Sequence, residues 1–132
     1  MTENQNIQTI QSLYDAFKRG DIPFIIDRVT PDVLWRSYCE GGVPWSGDFS
    51  TKAGVPRFFS AIAEHAEITS FEPGEFVAQG DTVVSMGTST SQAKSTGKAA
   101  DSKWVFVWKL RDGLVYSYEQ FHEPTLARIF VA

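Results

Sequence analysis

The chain has 132 residues, enough for one domain over residues 1–132 that buries roughly two thirds of its unfolded surface in a single core. Its net charge of -4 comes from 16 acidic against 12 basic residues, and the basic ones are scattered, which excludes the clustered cations that nucleic acid or an anionic membrane surface would need. Cys39 is the only cysteine, no apolar run approaches the roughly 18 residues of a membrane span, and Met1-Thr2-Glu3-Asn4-Gln5 has neither a basic region nor an apolar signal core, so the cytoplasm is the expected compartment.

Ile7, Ile10, Leu13, Tyr14 and Phe17 recur at helical spacing, and Gly20 follows Lys18 and Arg19, predicting a first helix over about residues 4–19. Asp21 caps a second, short helix with Pro23 in its first turn, which buries Ile22, Ile25, Ile26 and Val29 before Thr30-Pro31-Asp32 stops it. Val33 to Tyr38 reads as a strand. Gly41, Gly42, Pro44 and Gly47 then mark an irregular loop of about ten residues, a length that often shapes a binding site.

A third helix is predicted over about Lys52 to Ala66, burying Val55, Phe58, Phe59, Ile62 and Ala66, with Pro56 placed about one turn in. The rest is extended. Strands near Ile68 to Ala78, Asp81 to Gln92, Lys98 to Leu110 and Leu114 to Phe121 are joined at Gln79-Gly80-Asp81, Ser95-Thr96-Gly97 and Arg111-Asp112-Gly113. Helices segregated from an antiparallel meander predict an α+β fold, with the helices on one face of a strongly curved sheet.

The last two strands form the most informative hairpin. Strict alternation gathers Trp104, Phe106 and Trp108 on one arm with Tyr116, Tyr118, Gln120 and His122 on the other, a face that is aromatic near one end and polar near the other. On the opposite face Val83, Val105, Val107 and Val115 are expected to form an apolar outer stripe, the natural contact for a second copy of the chain.

This order of elements, with Gly20-Asp21 between the first helices, Pro44-Trp45-Ser46-Gly47 in the loop, Gly54-Val55-Pro56-Arg57-Phe58-Phe59 on the third helix and Arg111-Asp112-Gly113 in the last hairpin, resembles the SnoaL-like, ketosteroid-isomerase-related branch of the nuclear transport factor 2-like superfamily. The resemblance covers nearly the whole chain. It implies a cone-shaped fold in which a curved antiparallel sheet wraps a pocket closed by three N-terminal-half helices, and a homodimer through the outer face of the sheet. It does not carry the catalytic residues across: the isomerase aspartate base falls at Ser37, the oxyanion tyrosine at Leu13 with Tyr14 one residue out of register, and the protonated aspartic acid at or near Phe106. The acidic residue that serves the cyclases and epoxide hydrolases on the last strand corresponds to Gln120.

Among the residues left, His122 is the first candidate for a general base, against the plainer reading that it caps a strand end. Gln120 is a candidate to orient a ligand carbonyl or hydroxyl, against a satisfied polar residue in a partly buried wall. Tyr14, Trp35, Ser37, Phe58, Trp104, Phe106, Trp108 and Tyr118 are the candidate ligand pocket; core packing explains most of them equally well. His65 ends the third helix, where it suits the macrodipole. Glu119 and Glu123 are expected in solvent. Tyr38, Cys39 and Glu40 are placed at the pocket mouth, with Cys39 a small buried filler. Two histidines and one cysteine at no ligand spacing predict no metal site and no cofactor.

Three functions remain open on these residues. The chain binds a small hydrophobic, cyclic or carbonyl-bearing molecule and moves a proton in an isomerase, cyclase or dehydratase reaction; it is a non-catalytic ligand-binding or dimerisation module; or its own rings fill the pocket, and Val105, Val107 and the Ser/Thr-rich strand around Ser85 to Ser91 form an outer interface.

Overall fold

A computed structural model describes residues 1–39 and 41–132; Glu40, assigned above to the pocket mouth, lies outside the described residues. The first helix, α1 (Glu3–Lys18), begins with reciprocal bonds between Thr2 and Gln5 that satisfy two otherwise orphaned N–H groups. It ends where Gly20 adopts φ 75°, a left-handed conformation that costs glycine little. Asp21 caps α2 (Ile22–Ile26) through the Phe24 N–H, with Pro23 in the first turn, where no N–H is needed.

The strand β1 (Val29–Tyr38) starts four residues earlier than its apolar alternation predicts. Val29 is fully buried, but in this strand and not on α2, which has already ended. Pro31 is tolerated here because the register against the neighbouring strand shifts between Val29 and Leu34, so no ladder N–H is required of it. The two-residue β2 (Gly47–Asp48) borders β1, and the chain continues alongside as Phe49 and Thr51 donate to the Trp35 and Val33 carbonyls.

The third helix, α3 (Val55–His65), begins at Val55 and not at Lys52, so Pro56 sits in its first turn. A ring there removes no hydrogen bond. His65 is its last residue, as the macrodipole argument expects. Then come β3 (Ala66–Gln79), β4 (Thr82–Ala93), β5 (Ala99–Arg111) and β6 (Leu114–His122), followed by a short α4 (Thr125–Arg128) that periodicity does not foretell.

Among the described residues six strands form one sheet in the order β2-β1-β6-β5-β4-β3. Neighbours run antiparallel except β1 and β6, which are parallel, with α3 and four strands between them in the chain. Bulges after Ile68 and after Pro73 interrupt the long β3–β4 ladder and bend it. Helices of the N-terminal half on one face of a curved, largely antiparallel sheet is the α+β architecture expected.

The β5–β6 hairpin departs from strict alternation at one point. Its register shifts between Lys109 and Leu110, so Tyr116 is not on the inner wall; it lies against the Arg111 guanidinium, 4.5 Å from ring centre to cation. The same shift buries Val115 completely, and Val83 is buried opposite Trp108. Neither belongs to an outer stripe. The outer face instead carries a directly paired row across four strands, Tyr38–Phe121–Val105–Met86, with Tyr38 and Phe121 stacked at 5.1 Å.

Candidate functional site

The inner face of the sheet and the buried sides of α1 and α3 enclose a cavity of about 70 Å³. Alternation on β5 and β6 points Trp108, Phe106, Tyr118, Gln120 and His122 towards it, α1 adds Leu13, Tyr14 and Phe17, β1 adds Trp35, and α3 adds Phe58, Phe59 and Ile62. Rings meet edge to face or tilted, as Trp35 does with Phe58 (5.6 Å), Trp108 (5.8 Å) and Tyr118 (4.2 Å), an arrangement that suits their quadrupoles.

Two candidate residues do not reach the cavity. Trp104 is buried and stacks on both Phe106 (3.9 Å) and Phe71 (5.1 Å), and it lies over Gly87 of the next strand. Ser37 sits beside Gln120 and accepts a hydrogen bond from its Nε2 at 2.9 Å.

Gln120 is engaged at both ends. Its Oε1 accepts from the Tyr118 hydroxyl at 2.5 Å, and its Nε2 also faces the Cys39 sulfur at 3.8 Å, which in turn lies 3.3 Å from the Ser37 hydroxyl. The amide therefore ties β6 to β1 across their parallel pairing and has little left for a ligand. Tyr14 is similarly committed: its hydroxyl accepts from the Trp108 indole at 2.8 Å and shares a short bond with Ser85.

His122 lines the cavity at the end of β6, with Nδ1 3.4 Å from the Ser102 hydroxyl and no protein partner on Nε2 among the described residues. Burial without a compensating charge lowers its pKa to about 4, so it is a neutral imidazole at physiological pH. Burial raises the Tyr14, Tyr118 and Cys39 pKa values, so these groups stay protonated. No Asp, Glu, Lys or Arg lines the cavity among the described residues, and no cluster of three or more His, Cys, Asp or Glu side chains there is placed to hold a metal ion.

Glu119, as alternation requires, is on the other face of the sheet between Arg36 and Val107, and Glu123 accepts from the Lys103 N–H. Ten lining residues are not among the candidates read from the sequence, and two of these, Ser89 and Ser91, carry hydroxyls. Alternation alone leaves the strand around Ser85 to Ser91 open to an outer interface, yet Ser85, Ser89 and Ser91 are all buried on the inner face, and Ser89 and Ser91 line the cavity. The available signal was the alternation Val83, Ser85, Gly87, Ser89, Ser91, Ala93 beside a strand of large rings. Small inward residues leave the volume that the Trp104, Phe106 and Trp108 rings and the cavity occupy.

The model of the SnoaL-like domain matches residues 10–118 of the chain. The chain belongs to the SnoaL-like family. Among solved structures, this SnoaL-like chain is similar to an NTF2-like protein from Burkholderia xenovorans, at 30% identity over 99% of both chains and a TM-score of 0.88. A second NTF2-like protein, from Burkholderia pseudomallei, is 29% identical over the full length of both, with a TM-score of 0.87. TerC, crystallised with polyporic acid, is 27% identical over 96% of this chain and 98% of its own, with a TM-score of 0.81. No curated protein matches the sequence.

Proposed function

We propose that the chain is a small-molecule pocket protein that binds a hydrophobic cyclic compound bearing a carbonyl or hydroxyl group, and that any proton transfer of isomerase, cyclase or dehydratase type runs through His122. The observation that carries this is the ring-lined cavity in which a neutral imidazole has one nitrogen without a partner among the described residues. Apolar walls with few directed polar groups are the usual construction of a small-ligand site. TerC's crystallisation with polyporic acid supports the same class of ligand.

The cavity is less than half the roughly 150 Å³ in which an engineered apolar cavity accepts benzene. Ligand entry therefore requires ring side chains to move, and Trp45 is the side chain placed for it, since it lines the cavity and packs edge to face on Phe130 of the C-terminal tail. Binding without turnover is the second reading. It is favoured by the absence of any carboxylate in the cavity lining among the described residues, and by the low basicity of His122.

The outer row Tyr38–Phe121–Val105–Met86 supports a homodimer through this face, and the cytoplasm remains the proposed compartment. No helix is long and apolar enough to cross a membrane among the described residues. The test is thermal unfolding with cyclic ketones, lactones, steroids and polyporic acid, followed by turnover assays on any compound that binds. A ligand at 100 times its dissociation constant adds about 2.7 kcal/mol of stability. His122→Ala is expected to abolish turnover and leave affinity within a few-fold; turnover that persists removes His122 from the mechanism.

A further inference from the structure

At the His122 end of the cavity, four polar side chains occupy three adjacent strands. Ser89 of β4 is directly opposite Ser102 of β5, Ser91 is two residues along on the same inward face, and Ser102 Oγ faces His122 Nδ1 of β6 at 3.4 Å. Ser89 and Ser91 are 5% and 2% exposed, both line the cavity, and neither hydroxyl makes a hydrogen bond among the described residues. By contrast Ser85, on the same face, is bonded to Tyr14.

A buried hydroxyl without a protein partner is costly unless something in the cavity bonds it. Hydroxyls both donate and accept, and neutral His122, with Nδ1 facing Ser102, presents Nε2 as a donor or an acceptor according to its tautomer. The set therefore suits an oxygen that is itself uncharged, and it disfavours a carboxylate, which would be buried without a counter-charge.

We propose that Ser89, Ser91 and His122 form the oxygen-binding end of the cavity, and that the ligand there presents a neutral hydroxyl or carbonyl oxygen while its ring lies among Trp35, Phe106, Trp108 and Tyr118. The assignment rests on the binding function proposed above and moves the polar recognition from Gln120 to β4. Three single-ring probes of similar size test it by calorimetric or ligand-observed NMR titration: p-cresol, toluene and benzoate.

The wild-type protein is expected to bind p-cresol about tenfold more tightly than toluene, the worth of a hydrogen bond or two to buried hydroxyls, and benzoate more weakly than p-cresol. In the Ser89→Ala/Ser91→Ala double variant that preference disappears while toluene affinity stays the same. The variant keeps or raises the wild-type melting temperature, because the deleted hydroxyls have no partner among the described residues. Equal binding of p-cresol and toluene by the wild type, a preference that survives in the double variant, or tighter binding of benzoate overturns the oxygen site but leaves the pocket. Failure of all three probes to bind overturns both.

Discussion

The polar residues of the interior fall into engaged and unengaged groups, and the difference decides what each substitution does. Asn6 on α1 is 1% exposed and both atoms of its amide lack a hydrogen-bond partner among the described residues. A buried amide in that state costs about 1–3 kcal/mol, so Asn6→Leu is expected to stabilise the fold by about 1–2 kcal/mol in urea unfolding. His122 acts through pH. Its folded pKa of about 4 lies below the unfolded value near 6.5, so between these values the unfolded chain binds more protons. Stability is thus full above pH 6.5, falls as the pH drops to about 4 and is level below. The loss is of order 1–3 kcal/mol for this partly buried ring. Urea midpoints measured from pH 7 to pH 4 should show the decline in the wild type and a flatter profile in His122→Gln.

At the level of elements, the two central strands of the wall are built for each other. The Trp104 ring covers β4 because Gly87 has no side chain; a Cβ there would lie 2.4 Å from Trp104 Cζ2 and 2.5 Å from the Glu72 carbonyl oxygen of β3. The carbonyl cannot yield without disturbing the β3–β4 ladder. Gly87→Ala should therefore destabilise by about 1–3 kcal/mol, read as a lower guanidinium midpoint and a changed near-ultraviolet signal from the Trp104 environment. Most element identities were legible because α1, α3 and the four long strands have clear 3.6- or 2-residue periods. The misses have local causes. Val29 was apolar at a spacing that fitted α2 and β1 equally, and only strand pairing places it. Helical spacing alone carries α3 back to Lys52, whereas Pro56, whose ring suits a first turn, starts it at Val55. The bulge that turns Tyr116 outward and Val115 inward leaves no mark in an unbroken alternation.

For the whole molecule, the outer face of the sheet carries the clearest unassigned apolar surface. Tyr38, Phe121 and Val105 are 45%, 42% and 37% exposed and lie side by side on β1, β6 and β5. On the proposed dimer, Phe121→Glu places a carboxylate at the centre of this row in each copy. Sedimentation velocity at micromolar concentration should then show a dimer for the wild type and a monomer for the variant; a wild-type monomer removes the dimer.

Period and turn chemistry are local properties that the chain carries residue by residue, so the fold class, the family and the inward placement of Trp35, Phe106, Trp108, Tyr118, Gln120 and His122 are legible in the sequence alone. The sequence also excluded the family's carboxylates at their matching positions. Which inward polar groups have hydrogen-bond partners depends on how the strands pair and bend. Gln120 and Ser37 meet through the parallel pairing of β6 with β1, Tyr14 meets Ser85 and Trp108 across 71 and 94 residues of chain, and the Ser89 and Ser91 hydroxyls have no hydrogen-bond partner among the described residues. Hydrogen bonds between residues so far apart depend on the register and bend of the sheet, which no short window of sequence encodes.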